Sequence, residues 1–159
     1  MNWYQKAAEQ EDAEAQSRLA SMFAKGCGVE KDDAKALYWY KKAAGHGDPD
    51  AEYCLGSIYE TGRGVRQDYA EAVKWYQSAA DEGNASAQNQ LGYMYENGLG
   101  VSGNYADAVK WYLKASEQDN RDAQARLGIM YYEGRGVCRN YTEAEKWSRK
   151  AAAGEPGIA

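Results

Sequence analysis

Three observations predict that this 159-residue chain is an all-α solenoid of repeated helix-turn-helix units. Five tryptophans, Trp3, Trp39, Trp75, Trp111 and Trp147, stand 36 residues apart along the whole chain. A Gly-x-Gly-Val segment recurs at the same interval, at Gly26, Gly62, Gly98 and Gly134. Between these landmarks the apolar residues keep helical spacing, as in Ala51, Leu55, Ile58 and Tyr59 at i, i+4, i+7 and i+8.

The elements follow in order. Residues 1–10 read as part of a second-type helix, because Trp3-Tyr4 and Ala7-Ala8 align with Trp39-Tyr40 and Ala43-Ala44. Full units are expected at 13–45, 49–81, 85–117 and 121–153, forming one array over 1–153 with a tail at 154–159. Each unit opens with a helix such as Ala51 to Tyr59, closed by a glycine that can take a positive φ. The second helix starts after Asp32, Asp68, Asn104 or Asn140, residue types suited to an N-cap. Gly47 and Gly83 close two of these helices, and Asp119 holds the same place as a poorer stop. Gly56, Gly92 and Gly128 lie inside first helices, where a glycine costs about 0.5–1 kcal/mol relative to alanine. Their recurrence predicts close helix–helix approach, with the tryptophan as the bulky partner filling the seam. Neither helix buries its face alone, so neighbouring units must stack.

The ends differ from the middle. Ala34, Ala70 and Ala106 give way to Thr142, Leu37 and its equivalents to Glu145, and Tyr40 and its equivalents to Ser148. This reads as a polar C-terminal cap near Ala153. At the N-terminus, either the half-helix is a lid on the first full unit or preceding sequence is missing. The second reading is adopted, since a helix of about ten residues is marginal unless packed.

Composition narrows the function. Nineteen Lys and Arg against 24 Asp and Glu give a net charge of −5, which disfavours a general nucleic-acid binder. A mean hydropathy of −0.82 and the lack of a long apolar run exclude membrane insertion. A single histidine, His46, cannot build a His-rich metal or catalytic site, and no cofactor is expected. The glycine loops join two helices and occur four times, so they are turns and not phosphate loops. Cys27, Cys54 and Cys138 form no regular framework and read as free thiols. With no signal visible in Met1 to Lys6, the default compartment is the cytoplasm; periplasm or secretion applies if an upstream signal was removed. The chain is not expected to be an enzyme.

The stretch Ala87 to Ala115, with Leu91-Gly92, Met94-Tyr95, Gly98-x-Gly100-Val101, Asn104-Tyr105, Ala108 and Trp111-Tyr112, resembles the Sel1-like repeat, a relative of the tetratricopeptide repeat. The resemblance covers nearly all of the chain. It implies a right-handed α/α superhelix whose first helices line a concave side, and an adaptor role in holding other proteins. Some cysteine-rich secreted proteins with similar repeats are credited with β-lactam binding or hydrolysis. They carry a cysteine pair in each unit, which this chain lacks, so that alternative is disfavoured.

Candidate binding residues are sought on the implied concave face, where positions vary from unit to unit. Opposite the Ala/Leu/Met seam lie Glu14 in the first full unit, Asp50, Tyr53, Ser57 and Glu60 in the second, Asn89, Tyr93 and Glu96 in the third, and Asp122, Ile129, Tyr132 and Glu133 in the fourth. Six are carboxylates, against Lys25 alone on the same stripe. The expected partner is therefore a peptide or protein segment with basic and apolar residues. The second helices instead carry Glu71–Lys74, Asp107–Lys110 and Glu143–Lys146 pairs, read as a solvated outer face.

Overall fold

The computed structural model describes residues 2–153, with side chains from Tyr4 onward. The expected tail at 154–159 and the side chain of Trp3 lie outside the described residues. The described residues form nine helices and no strand: α1 Asn2–Glu9, α2 Ala13–Lys25, α3 Asp33–Gly45, α4 Pro49–Thr61, α5 Tyr69–Asp81, α6 Ala85–Asn97, α7 Tyr105–Glu117, α8 Arg121–Glu133 and α9 Tyr141–Ala153.

Capping residues set the boundaries. Asp32, Asp68 and Asn104 are extended at the N-caps of α3, α5 and α7, and their side chains accept from first-turn backbone N–H groups. The first-type helices use the same device at Asp12, Asp48, Asn84 and Asn120. They therefore run longer than the apolar pattern suggests, since α4 spans Pro49–Thr61 and not Ala51 to Tyr59. Gly62 ends α4 in the left-handed region at φ 70°, donating to the Ile58 carbonyl. Asp119 adopts φ 58° at the position held by Gly47 and Gly83.

The helices fall into two contact units, one carrying α1–α5 and the other α6–α9. In the first, α2 packs on α3 and α4 on α5, with α3 joined to α4. Its core is built from Ala20, Ala36, Tyr40, Ala43, Ala51, Leu55 and Ile58. The short α1 lies on α2 through Ala8, Ala15 and Leu19. In the second, α6 pairs with α7 and α8 with α9 around Ala108, Tyr112, Ala115, Ala123, Leu127 and Met130. Each fully buried leucine contributes about 1.5–3 kcal/mol.

The partner of the mid-helix glycine is the tyrosine after the tryptophan. A Cβ on Gly56 would lie 2.5 Å from the Tyr76 ring, and one on Gly92 2.6 Å from Tyr112. Both tyrosines are fully buried. Trp39, Trp75 and Trp111 are only half-buried, so the expectation that tryptophan fills this seam is corrected. Among the described tryptophan side chains Trp147 alone is buried, in the pair where Ser148 replaces tyrosine. The cap reading is also revised. Ala34, Ala70 and Ala106 are all exposed, so Thr142 replaces no seam residue, whereas Ser148 does.

A glutamine seals the join to the preceding helix. Gln16 Nε2 donates to the Ala8 carbonyl at 3.0 Å, and Gln124 Nε2 to the Ser116 carbonyl at 3.3 Å. Glu52 holds the same repeat position. Its Oε1 accepts from Ser78 at 2.8 Å, its Oε2 is buried without a hydrogen-bond partner, and burial raises its carboxyl pKa.

Candidate functional site

The variable stripe of the first-type helices separates into side chains held by the protein and side chains left open. Glu60 and Glu96 belong to the first class. Tyr76 Oη donates to Glu60 at 2.6 Å, and Tyr112 Oη donates to Glu96 at 2.8 Å. The ring over each glycine thus ends on a carboxylate one turn away on the same helix. Glu96 is further enclosed by Arg126 at 3.5 Å and Arg135 at 4.0 Å, and its side chain is 9% exposed. Burial, followed by the Glu96 hydrogen bond, pushes the Tyr112 phenol pKa up, so its hydroxyl remains a donor. These two carboxylates position core tyrosines and are not free to receive a ligand. Tyr93 lies under Arg126, whose guanidinium carbon is 5.6 Å from the ring centroid. Asn89 is half-buried, and its Oδ1 has no hydrogen-bond partner.

The remaining candidates are gathered in four depressions. Glu14 and Asp50 line a shallow one of about 570 Å³ in the first unit, with Arg18 pairing Glu14 at 2.7 Å. Tyr53 and Ser57 line a smaller, more enclosed cavity of about 170 Å³ with Lys25, Tyr40, Cys54 and Arg63. Tyr53 also stacks at a tilt on Tyr76, with centroids 5.7 Å apart. In the second unit Asp122 and Ile129 share a depression of about 750 Å³ with Ala151 and Ala152. Ile129, Tyr132 and Glu133 line a cleft of about 630 Å³ between α8 and α9, completed by Gly128, Tyr141, Ala144, Glu145 and Ser148.

That last cleft has a simple origin. Tyr112 occupies the seam over Gly92, whereas Ser148 is too short to fill the seam over Gly128. Ile129, Tyr132 and Tyr141 around the cleft are 50%, 62% and 59% exposed. Tyr132 and Tyr141 meet edge to face at 5.4 Å, giving an aromatic wall. Glu133 pairs with Arg135 at 2.7 Å and Glu145 with Arg149 at 2.6 Å.

Several residues beside the stripe and the clefts escape the repeat pattern. Arg63, Arg126 and Arg135 put positive charge beside the stripe, so its acidity is more balanced than the sequence suggests. Arg126 occupies a repeat position held elsewhere by Arg18, Cys54 and Gln90, so periodicity gives no signal for it. Tyr141, Glu145 and Ser148 come from a second-type helix; only the loss of tyrosine at 148 could have pointed to them. Among the described residues no three metal-ligating side chains converge, and no helix is long and apolar enough to cross a membrane. Cys27, Cys54 and Cys138 are free.

Comparison with known proteins gives a consistent result. The Sel1 repeat family model matches residues 1–12, 13–48, 49–84, 85–120 and 121–155. The crystal structure of c5321, a protective antigen of uropathogenic Escherichia coli strains with an SLR fold, is similar at TM-score 0.94 and 42% identity. That match covers 97% of this chain and 33% of the other. A Sel1 repeat protein from Oxalobacter formigenes matches at TM-score 0.92 and 38% identity, over 97% of this chain and 63% of that one. Helicobacter pylori cysteine rich protein B matches at TM-score 0.64 and 26% identity, over 79% of this chain and 90% of that one. The chain thus spans a third of the length of the E. coli protein and under two thirds of the O. formigenes protein. No curated protein matches the chain.

Proposed function

The chain belongs to the Sel1 repeat family, whose members generally mediate protein–protein interactions, and from that premise we propose that it is an adaptor module binding a partner segment along its first-type helices. The observation that carries this reading is the open cleft of about 630 Å³ between α8 and α9, with three large apolar or aromatic side chains exposed on it. A monomeric surface seldom gathers such residues around a depression without a use for them. Tyrosines supply contact area at low entropic cost and are enriched among residues that dominate binding.

The charge of the lining favours a basic and apolar partner. Glu133 and Glu145 line the cleft with no cation among the other lining residues. Their ion pairs to Arg135 and Arg149 are largely exposed and worth under about 1 kcal/mol, so exchange for an incoming Lys or Arg is cheap. The carboxylates then orient the segment while an apolar side chain enters the cleft. Sel1 repeat proteins are typically scaffolds without enzymatic activity, and no convergent nucleophile and base in this site favours the hydrolytic alternative.

Screening a basic, aromatic-containing peptide library against the wild-type protein and a Tyr132→Ala, Glu133→Lys variant tests the reading. Binding is expected to fall by about tenfold or more, as loss of one central anchor costs over 1–2 kcal/mol. Equal binding by both proteins overturns the assignment of this cleft.

A further inference from the structure

The repeat makes the structure its own comparison. In the second unit the Glu96 carboxylate sits between the Tyr112 hydroxyl, Arg126 and Arg135. Two repeat periods earlier the corresponding residues are Ala24, Tyr40, Cys54 and Arg63, in a chain where every landmark keeps the 36-residue spacing. The tyrosine and one arginine persist, but the carboxylate has become a methyl group. Ala24, Tyr40, Cys54 and Arg63 all line the cavity of about 170 Å³ among α2, α3 and α4. Lys25 also lines it, where the second unit has Asn97.

We infer that this cavity binds a carboxylate presented by a peptide, either an acidic side chain or a chain end, in the place that Glu96 fills internally in the second unit. The donors are in position. The Tyr40 hydroxyl lies beside Cys54 and Ser21, and burial keeps its proton on. Cys54 is likewise held protonated, mainly by burial, and offers a weak S–H donor. Lys25 and Arg63 take part in no ion pair among the described residues. The opposing charges are Asp33, whose Oδ2 is 3.6 Å from Lys31 Nζ, and Asp50 and Asp48, whose fields reach Cys54. The cavity volume accommodates a carboxylate with a few waters at ~30 Å³ each. Its occupant has the opposite charge to the segment proposed for the α8–α9 cleft, so the two sites stand or fall separately.

Three probes test the inference by NMR, with the Arg63 Nε–H signal as reporter: acetyl-Glu-N-methylamide, acetyl-Ala with a free carboxyl group, and acetyl-Gln-N-methylamide. At least one carboxylate probe is expected to shift the signal saturably while the glutamine probe does not. Preference between the first two identifies side chain or chain end as the source. Arg63→Ala and Lys25→Ala, both at exposed positions, are each expected to weaken binding by about tenfold, the loss of a charge-assisted hydrogen bond, read from amide shifts of Ser57. Ala24→Glu is expected to abolish binding by supplying the missing carboxylate. Tyr132→Ala, in the other unit, should leave binding unchanged. The inference is overturned by absence of a saturable shift with both carboxylates, by an equal response to the glutamine probe, or by undiminished binding in the Arg63 and Lys25 variants. The last readout remains decisive if Ala24→Glu fails to fold.

Discussion

Gly92 and Gly45 are both helical glycines, yet they predict opposite responses to the same substitution. A Cβ at Gly92 would stand 2.6 Å from the ring of fully buried Tyr112, whereas nothing lies within 4 Å of one at Gly45. Gly92→Ala should destabilise by about 1–3 kcal/mol through overpacking. Gly45→Ala should instead stabilise by about 0.4 kcal/mol or more, by restricting the unfolded chain. Urea denaturation of the two variants checks both signs. At position 52 the argument is electrostatic. Burial raises the Glu52 carboxyl pKa, so ionising it weakens the native state. This penalty is absent below the unfolded value of about 4.3 and grows as pH rises through the folded one. Glu52→Gln should therefore stabilise by about 1 kcal/mol at pH 7, with Nε2 donating to the Ala44 carbonyl as Gln16 does to Ala8. The part of the gain that comes from removing the ionisation penalty should vanish near pH 4. Melting curves at the two pH values test the sign.

For whole helices, capping dominates the boundaries, and the sequence displays it openly. Asp32, Asp68 and Asn104 were legible as N-caps because their side chains are the right types at a fixed distance before the Ala/Trp/Tyr pattern. The positive φ of Asp119 was legible too, since Gly47 and Gly83 mark that position as left-handed. Asp119→Gly should relieve this strain and raise stability by about 1 kcal/mol, measurable as a higher denaturation midpoint. The identity of the seam ring was not legible. Trp and Tyr are adjacent and share the 36-residue period, broken only at Ser148, and a 100° turn between neighbours in a helix decides which one faces the glycine. Periodicity reports that a position is constrained without reporting by what.

Across the molecule, the repeat framework was readable and the binding features were readable only in part. Constant residues build the seams, so internal repetition exposes them. Glu60 and Glu96 looked like free acids of the stripe but are held by Tyr76 and Tyr112, a pairing between helices that no single-helix pattern displays. The clefts arise where one unit departs from the rest, at Ser148 and at Ala24. Ser148→Tyr should restore the ring, close the α8–α9 cleft and stabilise that pair by about 1.5–3 kcal/mol. The same change should abolish peptide binding there. A variant that melts higher but still binds would separate the cleft from the function.

The equality of the seams also governs how such a chain can change length. Gly56 with Tyr76 and Gly92 with Tyr112 are near-copies, at 2.5 and 2.6 Å. One added residue inside a helix rotates everything beyond it by about 100° and turns every ring away from its glycine. A duplication of 36 residues returns each ring to a glycine and each N-cap to its turn. Copy number is therefore the one dimension in which this architecture varies freely, and it does so in whole steps.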